Sequence, residues 1–144
     1  MIAIGSDHGG YELKESVKHY LEEKNISYRD MGCNSKSSVD YPVYGRAVAE
    51  LVAEGVCEKG IVICTTGIGI SMVANKVPGV RCALCSDTLS AKMTRLHNDA
   101  NVLAMGGGMV GENLALDIVE TFLSTNFSGE EKHQRRIDMI EGGK

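Results

Sequence analysis

Hydrophobic residues along the chain alternate between two spacings. Short apolar runs rich in β-branched residues predict strands, and each is followed by a segment in which apolar residues recur every three or four positions, as on one face of a helix. The predicted strands cover residues 2–4, 26–31, 61–64, 81–85 and 102–105. Five strand–helix units of this kind predict a mostly parallel sheet, because each strand returns through a crossover helix.

The predicted helices carry their apolar residues on one side. The first has Leu13, Val17, Tyr20 and Leu21, the second Ala47, Val48, Leu51 and Val52, and the fifth Leu114, Ile118, Val119 and Phe122; the third and fourth cover 68–76 and 88–96. We therefore predict one domain over residues 1–144, an α/β doubly wound, Rossmann-like sandwich with a five-stranded parallel sheet. Ligands of such sheets bind beyond the carboxyl ends of the strands, where helix amino termini offer free N–H groups.

Composition narrows the possible functions. The 144 residues are 43% hydrophobic, enough for a real core, and 15 Lys and Arg against 19 Asp and Glu give a net charge of −4. That charge disfavours broad nucleic-acid binding. The apolar runs are short and the first residues lack the pattern of a signal peptide, so we expect a soluble, cytoplasmic protein with no membrane partner.

The five cysteines are an odd number in a chain of this size, which predicts free thiols instead of a disulfide framework. Cys82 and Cys85 lie along a predicted buried strand with no second pair, so a zinc site is not expected there. We interpret these two, with Cys33 and Cys57, as packing or surface residues.

The first strand ends in a glycine-rich turn that contains Asp7 and His8. A carboxylate beside an imidazole, in a turn that a ligand can approach closely, is a candidate binding site. Asp7 could instead only cap the following helix, as Asp often does. Capping, however, requires neither an adjacent histidine nor two further glycines.

The third strand runs directly into the most informative loop of the sequence. Cys64 stands where strand becomes loop, and it is followed by Thr65, Thr66, Gly67, Ile68, Gly69, Ile70 and Ser71. The first amides of the next helix can stabilise negative charge, including a thiolate, which favours a functional cysteine over a merely buried one.

Known phosphate-binding signatures do not fit this loop. A P-loop needs Lys and Ser or Thr after its glycines, whereas Ile70 and Ser71 follow Gly69. A cysteine phosphatase needs an arginine at the position of Ile70. Asp30 stands where a dinucleotide fold carries its acidic residue, but the first turn lacks the glycine spacing, so a nucleotide cofactor is disfavoured.

Two further groups of polar residues stand outside these loops. His97 and Asn98 come just before the fifth strand and offer an imidazole and an amide close together. Lys132, His133, Arg135 and Arg136 form a basic cluster in the tail, residues 127–144. The cluster fits either a solvated helix face or a phosphate ligand. The tail is expected to lie over its own domain or to cross to a partner.

These motifs together resemble one family. They are SDHGGYELK at the first strand end, DYP at 40–42, GIVICTTGIGISMVANKVPGVR at 60–81, HNDANVLAMG at 97–106, and KHQRR near the end. They are similar to the ribose-5-phosphate isomerase B family, whose relatives include galactose-6-phosphate isomerase subunits. The resemblance covers nearly the whole chain.

The resemblance implies an aldose–ketose isomerase that opens a sugar phosphate ring and shifts a proton through a cis-enediolate, with no metal or organic cofactor. Cys64 resembles the base between C1 and C2, and His97 the acid/base of ring opening. The amides of Thr65 through Gly69, including Gly67 and Ile68, and the Thr66 hydroxyl resemble the cradle of the enediolate oxygen. Removing a proton beside a carbonyl requires both a positioned base and donors for the oxyanion, which this loop offers together.

The resemblance also implies how substrate and subunits are arranged. Asp7, His8, Tyr41 and Asn98 resemble substrate contacts, and His8, Lys132 and Arg136 stand where the family holds the phosphate. The family builds its site across a homodimer interface, with the His97–Asn98 segment supplied by the neighbouring subunit. At least a homodimer, and often a tetramer, is therefore expected.

Two departures leave the substrate open. Gly108 stands where many relatives have an arginine, and residues 129–133 replace GGRH with one extra residue and Lys132 for arginine. Ribose 5-phosphate is the expected substrate, with a hexose 6-phosphate such as galactose or allose 6-phosphate, or a tetrose phosphate, as alternatives. A non-catalytic sugar-phosphate-binding subunit or sensor is a second hypothesis, and a thiol-based phosphotransfer protein is a distant third.

Overall fold

The sheet has five strands, and all of them are parallel. The computed structural model describes residues 1–143, in which the strands run in the order β2-β1-β3-β5-β4. Their bounds are β1 Ile2–Ser6, β2 Tyr28–Asp30, β3 Lys59–Cys64, β4 Cys82–Leu84 and β5 Val102–Gly106. The fold class predicted from the hydrophobic pattern is confirmed.

Six α-helices connect and follow these strands. They are α1 Tyr11–Glu23, α2 Tyr41–Ala53, α3 Ile68–Asn75, α4 Thr88–Met93, α5 Glu112–Ser124 and α6 Glu131–Ile140. A short 3-10 turn, His8–Gly10, precedes α1, and a single wider helical turn, Thr94–Asn98, follows α4. We refer to Thr94–Asn98 as the His97 turn.

Each face of the sheet is covered by helices because successive strand residues point to opposite sides. On one face Ile61 and Ile63 of β3 pack in a core with residues of α1 and α5. On the other face Val62 and Cys64 pack with residues of α2 and α3. Cys64 therefore faces the α2–α3 side of the sheet, at its carboxyl edge.

The two outer strands are shorter than the sequence predicts. The apolar and β-branched runs predict strands over 26–31 and 81–85, whereas β2 and β4 contain only three paired residues each. Both strands lie at the edges of the sheet and pair on one side only. Ile26 instead donates its N–H to Leu21 O at the end of α1, which closes the turn before β2 begins.

A buried ion pair ties α1 to the end of β2. The Lys14 side chain is only 1% exposed, and its Nζ lies 2.9 and 2.8 Å from the two carboxylate oxygens of Asp30. Lys18 Nζ lies 2.8 Å from Asp30 as well. Burial raises the pKa of Asp30, but hydrogen bonds from Lys14, Lys18 and the Gly32 N–H outweigh it and hold the pKa below its ordinary value. Asp30 is thus a structural anchor.

Within residues 1–143, no helix combines the length and apolar character that crossing a membrane requires.

Candidate active site

Cys64 ends β3 at the crevice between β1 and β3. The sheet order changes direction at β1, which pairs with β2 on one side and β3 on the other. Such a switch point leaves an open crevice beyond the carboxyl ends of the two strands. Asp7, which directly follows β1, and Cys64 both lie there. The structure thus places Asp7 and Cys64 at the same end of neighbouring strands.

The loop after Cys64 turns amides toward the thiol. Gly67 N–H donates a hydrogen bond to Cys64 Sγ over 3.2 Å, and Ile68 N–H donates to Thr66 Oγ1 over 3.2 Å. Among residues 1–143, the amides of Thr65, Thr66 and Gly69 have no acceptor in the protein. These free donors lie at the start of α3, where the helix dipole adds positive potential.

Gly67 makes this sharp turn possible. Its φ of 79° lies in the left-handed region, and a Cβ there would come within 2.7 Å of the Met105 carbonyl carbon on β5. A side chain at this position would therefore push the loop away from the sheet. The loop also rests on the end of β5, because Gly107 N–H donates to Cys64 O and Gly108 N–H to Thr65 O, each over 2.8 Å.

A cleft of about 530 Å³ opens in front of the cysteine, and we refer to it as the Cys64 cleft. Its walls are Asp7, Tyr41, Cys64, Thr65, Thr66, Ile68, Gly69 and Met72. Cys64 is only 5% exposed, yet it is part of this wall. Seven of these eight residues belong to the predicted site, and Met72 is the exception. Met72 follows Ile68 by four residues on α3, so it lies on the same face of that helix, a spacing from which it could have been predicted.

Asp7 lines the cleft, whereas the adjacent His8 is not part of its walls; both side chains have defined partners. Asp7 Oδ1 accepts from Gly10 N–H over 3.1 Å, so it caps the turn that leads into α1 and also lines the cleft. His8 Nδ1 accepts from Val39 N–H over 3.2 Å. This bond requires an unprotonated Nδ1, so neutral His8 carries its proton on Nε2 and presents a donor there.

His97 and Asn98 lie near the amino ends of the strands, at the opposite end of the sheet from Cys64. They precede β5, whose Val102 pairs with Gly60 and whose Gly106 pairs with Cys64. Four strand residues, about 13 Å of chain, therefore separate the start of β5 from the level of Cys64. Neither His97 nor Asn98 lines the Cys64 cleft. One chain does not bring the predicted base and the predicted ring-opening residue together.

Two arginines hold the His97 turn in place. Arg81 donates to the carbonyls of Asn98 and Asp99, both over 2.9 Å. Arg95, 6% exposed, donates to Asp99 Oδ1 over 2.8 Å and to Ala100 O over 2.7 Å. A widened helical turn of this kind is often found at functional sites. The arginines fix the backbone that presents His97 and Asn98, a role that sequence reasoning missed.

The tail residues lie beside this turn. The ring of His133 on α6 stacks on His97, with 4.2 Å between ring centroids. Lys132 and Arg136 are exposed on the same helix, and Arg136 forms no ion pair with any residue among 1–143. Arg135 lines a separate shallow hollow on another side of α6. Within this chain the tail lies over its own domain.

Two other cysteines are unsuited to chemistry at neutral pH. Burial raises the pKa of Cys82 to about 12 and that of Cys85 to about 11. Cys33 and Cys57 are buried as well, at 3% and 1% exposure, and neither lines the Cys64 cleft. All five cysteines are free thiols. In the described residues, no three His, Cys, Asp or Glu side chains are grouped to hold a metal ion.

Comparison with known proteins identifies the family. A family model described as Ribose/Galactose Isomerase matches residues 2–140, nearly all of the sequence. The chain belongs to the ribose/galactose isomerase family. Ribose-5-phosphate isomerase B of Escherichia coli is 44% identical over 139 residues, covering 96% of this chain and 93% of that protein. The chain is therefore an isomerase of this family.

Solved structures of family members have the same fold. Ribose-5-phosphate isomerase B of Clostridium thermocellum superposes with a TM-score of 0.95 at 51% identity, covering 97% of this chain and 94% of that one. The enzyme of Mycoplasma genitalium, solved with bound ribulose-5-phosphate, has a TM-score of 0.92 at 40% identity and covers 97% and 93%. The family resemblance read from the sequence motifs is confirmed.

Proposed function

We propose that the protein interconverts an aldose phosphate and a ketose phosphate, with ribose 5-phosphate and ribulose 5-phosphate as the first pair to test. The observation that carries this proposal is the Cys64 cleft, where a strand-end thiol stands beside free helix-start amides. A base and oxyanion donors in one wall are what proton transfer beside a carbonyl requires. The relative that holds ribulose-5-phosphate supports the choice of substrate.

The chemistry uses Cys64 as a thiolate base. Cys64 Sγ takes the proton from C2 of the open-chain aldose, and the electron pair of that bond forms the C1–C2 double bond while O1 becomes negative. The amides of Thr65, Thr66 and Gly69 and the Thr66 hydroxyl stabilise this enediolate. The proton on O2 passes to O1, and Cys64 returns its proton to C1, which yields the ketose. No atom is gained or lost.

Ring opening requires a second group, and we assign it to His97 of a neighbouring subunit. Within one chain, His97 lies at the far edge of the sheet from Cys64. A second copy that places its His97 turn over the Cys64 cleft would complete the site. Ile68 and Met72 at the cleft are 48% and 62% exposed, an apolar surface that such a copy would cover. We therefore propose a homodimer.

The same arrangement would supply the phosphate-binding charge. Lys and Arg are absent from the walls of the Cys64 cleft in the described chain, and Gly108 beside Thr65 adds none. Lys132 and Arg136 lie next to the His97 turn and would arrive with it from the neighbouring subunit. His8, with Nε2–H as a donor, would contribute from the cleft side. The exposed Asn98 and Tyr41 would contact the sugar.

The experiment compares Cys64→Ala with Cys82→Ala, a matched loss of sulfur outside the cleft. Turnover of ribose 5-phosphate in deuterated water should incorporate deuterium in the wild type and in Cys82→Ala. Cys64→Ala should lose at least about 100-fold in kcat while folding normally, since an acid–base group contributes about 10²- to 10⁴-fold. Full activity in Cys64→Ala would show that this residue is not the base.

Because Gly108 contributes no charge near the cleft, the number of carbons in the sugar substrate has to be determined by experiment. A panel of tetrose, pentose and hexose phosphates, compared by kcat/KM, identifies the preferred sugar. The highest kcat/KM for ribose 5-phosphate would support the first choice. Binding without turnover of every sugar on the panel would instead support a non-catalytic binding subunit.

A further inference from the structure

The stacked pair of histidines lies outside the cleft and joins two distant parts of the chain. His97 belongs to the turn after α4, and His133 to the first turn of α6. Their ring centroids are 4.2 Å apart and their planes differ by 24°, a face-to-face arrangement. The His133 side chain is 11% exposed, and the His97 ring is one of the groups that cover it. His133 is therefore fixed in space, and it fixes one face of His97.

A carboxylate lies beside the outer ring of the stack. Glu130 Oε2 lies 3.3 Å from His133 Nε2, and it also lies 3.7 Å from Lys132 Nζ. Glu130 directly precedes α6, and His133 lies three residues later in its first turn. The carboxylate beside Nε2 favours the tautomer of His133 that carries its proton on that nitrogen.

Burial and the charges around the stack disfavour the protonated form of His133. Burial lowers the pKa of His133, and the positive charges of His97, Lys132 and Arg136 lower it further, against the opposing effect of Glu130. A neutral His133 is useful beside an acid/base residue, because His97 can then take a proton without a second positive charge 4.2 Å away.

We infer that His133, stacked on His97 and with Glu130 beside its Nε2, is a positioning residue that holds the His97 imidazole for ring opening. This rests on the proposed function, in which His97 moves the proton between the ring oxygen and the anomeric hydroxyl. His133 touches His97 and acts through it. The expected signature is a defect confined to ring opening, with little effect on proton transfer by Cys64.

Two substrates separate these steps. Ribose 5-phosphate must be opened before isomerisation, whereas a tetrose 4-phosphate stays open because its 4-hydroxyl, which would close a five-membered ring, carries the phosphate. His133→Ala should lower kcat for ribose 5-phosphate by about 10- to 100-fold, the cost of a misplaced acid/base group, with KM changed less than kcat. The loss for the tetrose should be at least about tenfold smaller.

The controls use matched variants. His133→Phe retains a flat ring against His97 and should recover most of the lost kcat, and Glu130→Gln should give a smaller defect than His133→Ala. His19→Ala removes an exposed histidine on α1 and should behave as wild type. Equal losses for both substrates, or no difference between His133→Ala and His133→Phe, would overturn the inference.

An NMR measurement tests the His97–His133 stack without any turnover, so it remains informative if the proposed function is wrong. The chain has four histidines, so their ring protons are resolvable by NMR. His133→Ala should move the His97 ring resonances, because the ring current of its stacked neighbour is removed. If the wild type turns over no sugar phosphate, the function is wrong. If the His97 resonances stay in place, the stack is absent in solution and the positioning role is wrong.

Discussion

Tyr41 lies directly over Gly69, and this contact makes Gly69→Ala a sensitive test of the cleft. A Cβ at position 69 would lie 2.6 Å from Tyr41 Cζ and Oη. Ordinary van der Waals contact begins at about 3.4 Å, so the tyrosine ring must move by about 0.8 Å. Tyr41 is 38% exposed and can swing outward without disturbing the core.

The expected result is a defect in substrate binding without a loss of stability. If the Tyr41 hydroxyl contacts the sugar, its displacement removes about 0.5–1.5 kcal/mol, which raises KM about 2- to 13-fold. Alanine is also the better helix former, by about 0.5–1 kcal/mol, so the free energy of unfolding should not fall. Steady-state kinetics and urea denaturation measure the two effects separately.

Two further variants make the test specific. Gly111→Ala adds a methyl group where no atom lies within 4 Å, so its KM should match the wild type. Tyr41→Phe removes only the hydroxyl and should raise KM by a similar factor, and the double variant Gly69→Ala/Tyr41→Phe should be little worse than either single variant. An unchanged KM in Gly69→Ala would refute the role of Tyr41 as a substrate contact.

Three predictions concern the remainder of the chain. Asp30→Ala leaves the buried Lys14 ammonium with only the more distant Glu15 carboxylate, 3.6 Å away, and should cost about 3 kcal/mol in urea unfolding. Lys14→Met should cost less, and equal costs would contradict this. The pKa of Asp30 is lowered in the folded protein, so its carboxylate stabilises the fold fully above about pH 4 and progressively less as the pH falls through the lowered pKa. The difference in free energy of unfolding between wild type and Asp30→Asn should therefore shrink at low pH. A difference that stays constant with pH would be evidence against this role. Iodoacetamide at pH 7.5 should spare folded Cys82 and Cys85, as mass spectrometry would show; rapid labelling would count against their raised pKa values.

The sheet and the position of the Cys64 cleft could be predicted from the sequence because both depend on local patterns. Apolar runs such as Ile61–Cys64 mark buried strands, and a parallel sheet places its binding residues at the carboxyl ends. The sequence pattern overestimates the lengths of the edge strands β2 and β4, because β-branched residues indicate strand propensity but not whether a pairing partner is present. Ile26 has that propensity and forms a turn contact instead.

The contacts around His97 could not be predicted because they join segments far apart in the chain. Arg81 reaches the turn after α4 across 17 residues to hold Asn98, and the His133 ring comes from α6. The widened turn Thr94–Asn98 also breaks the 3.6-residue period from which helices are predicted. The basic cluster fits either a solvated helix face or a phosphate ligand, and neither interpretation indicates which side chain of α6 would face His97.

The family resemblance implies that the His97–Asn98 segment comes from a neighbouring subunit, and the structure adds how far apart Cys64 and His97 lie within one chain. Sequence motifs place Cys64 and His97 in the same family signature, whereas the register of β3 and β5 sets them about 13 Å or more apart along the sheet. The proposal of a site shared between subunits depends on this separation.

Mixing two inactive variants tests that proposal most directly. Cys64→Ala and His97→Ala homodimers should each be nearly inactive. After dissociation and reassociation of an equal mixture, half of the dimers should pair one chain of each kind, and each such dimer contains one site with both Cys64 and His97 intact. About one quarter of wild-type activity should be recovered, because half of the dimers have one of their two sites intact. A mixture no more active than its components, although heterodimers form, would contradict it.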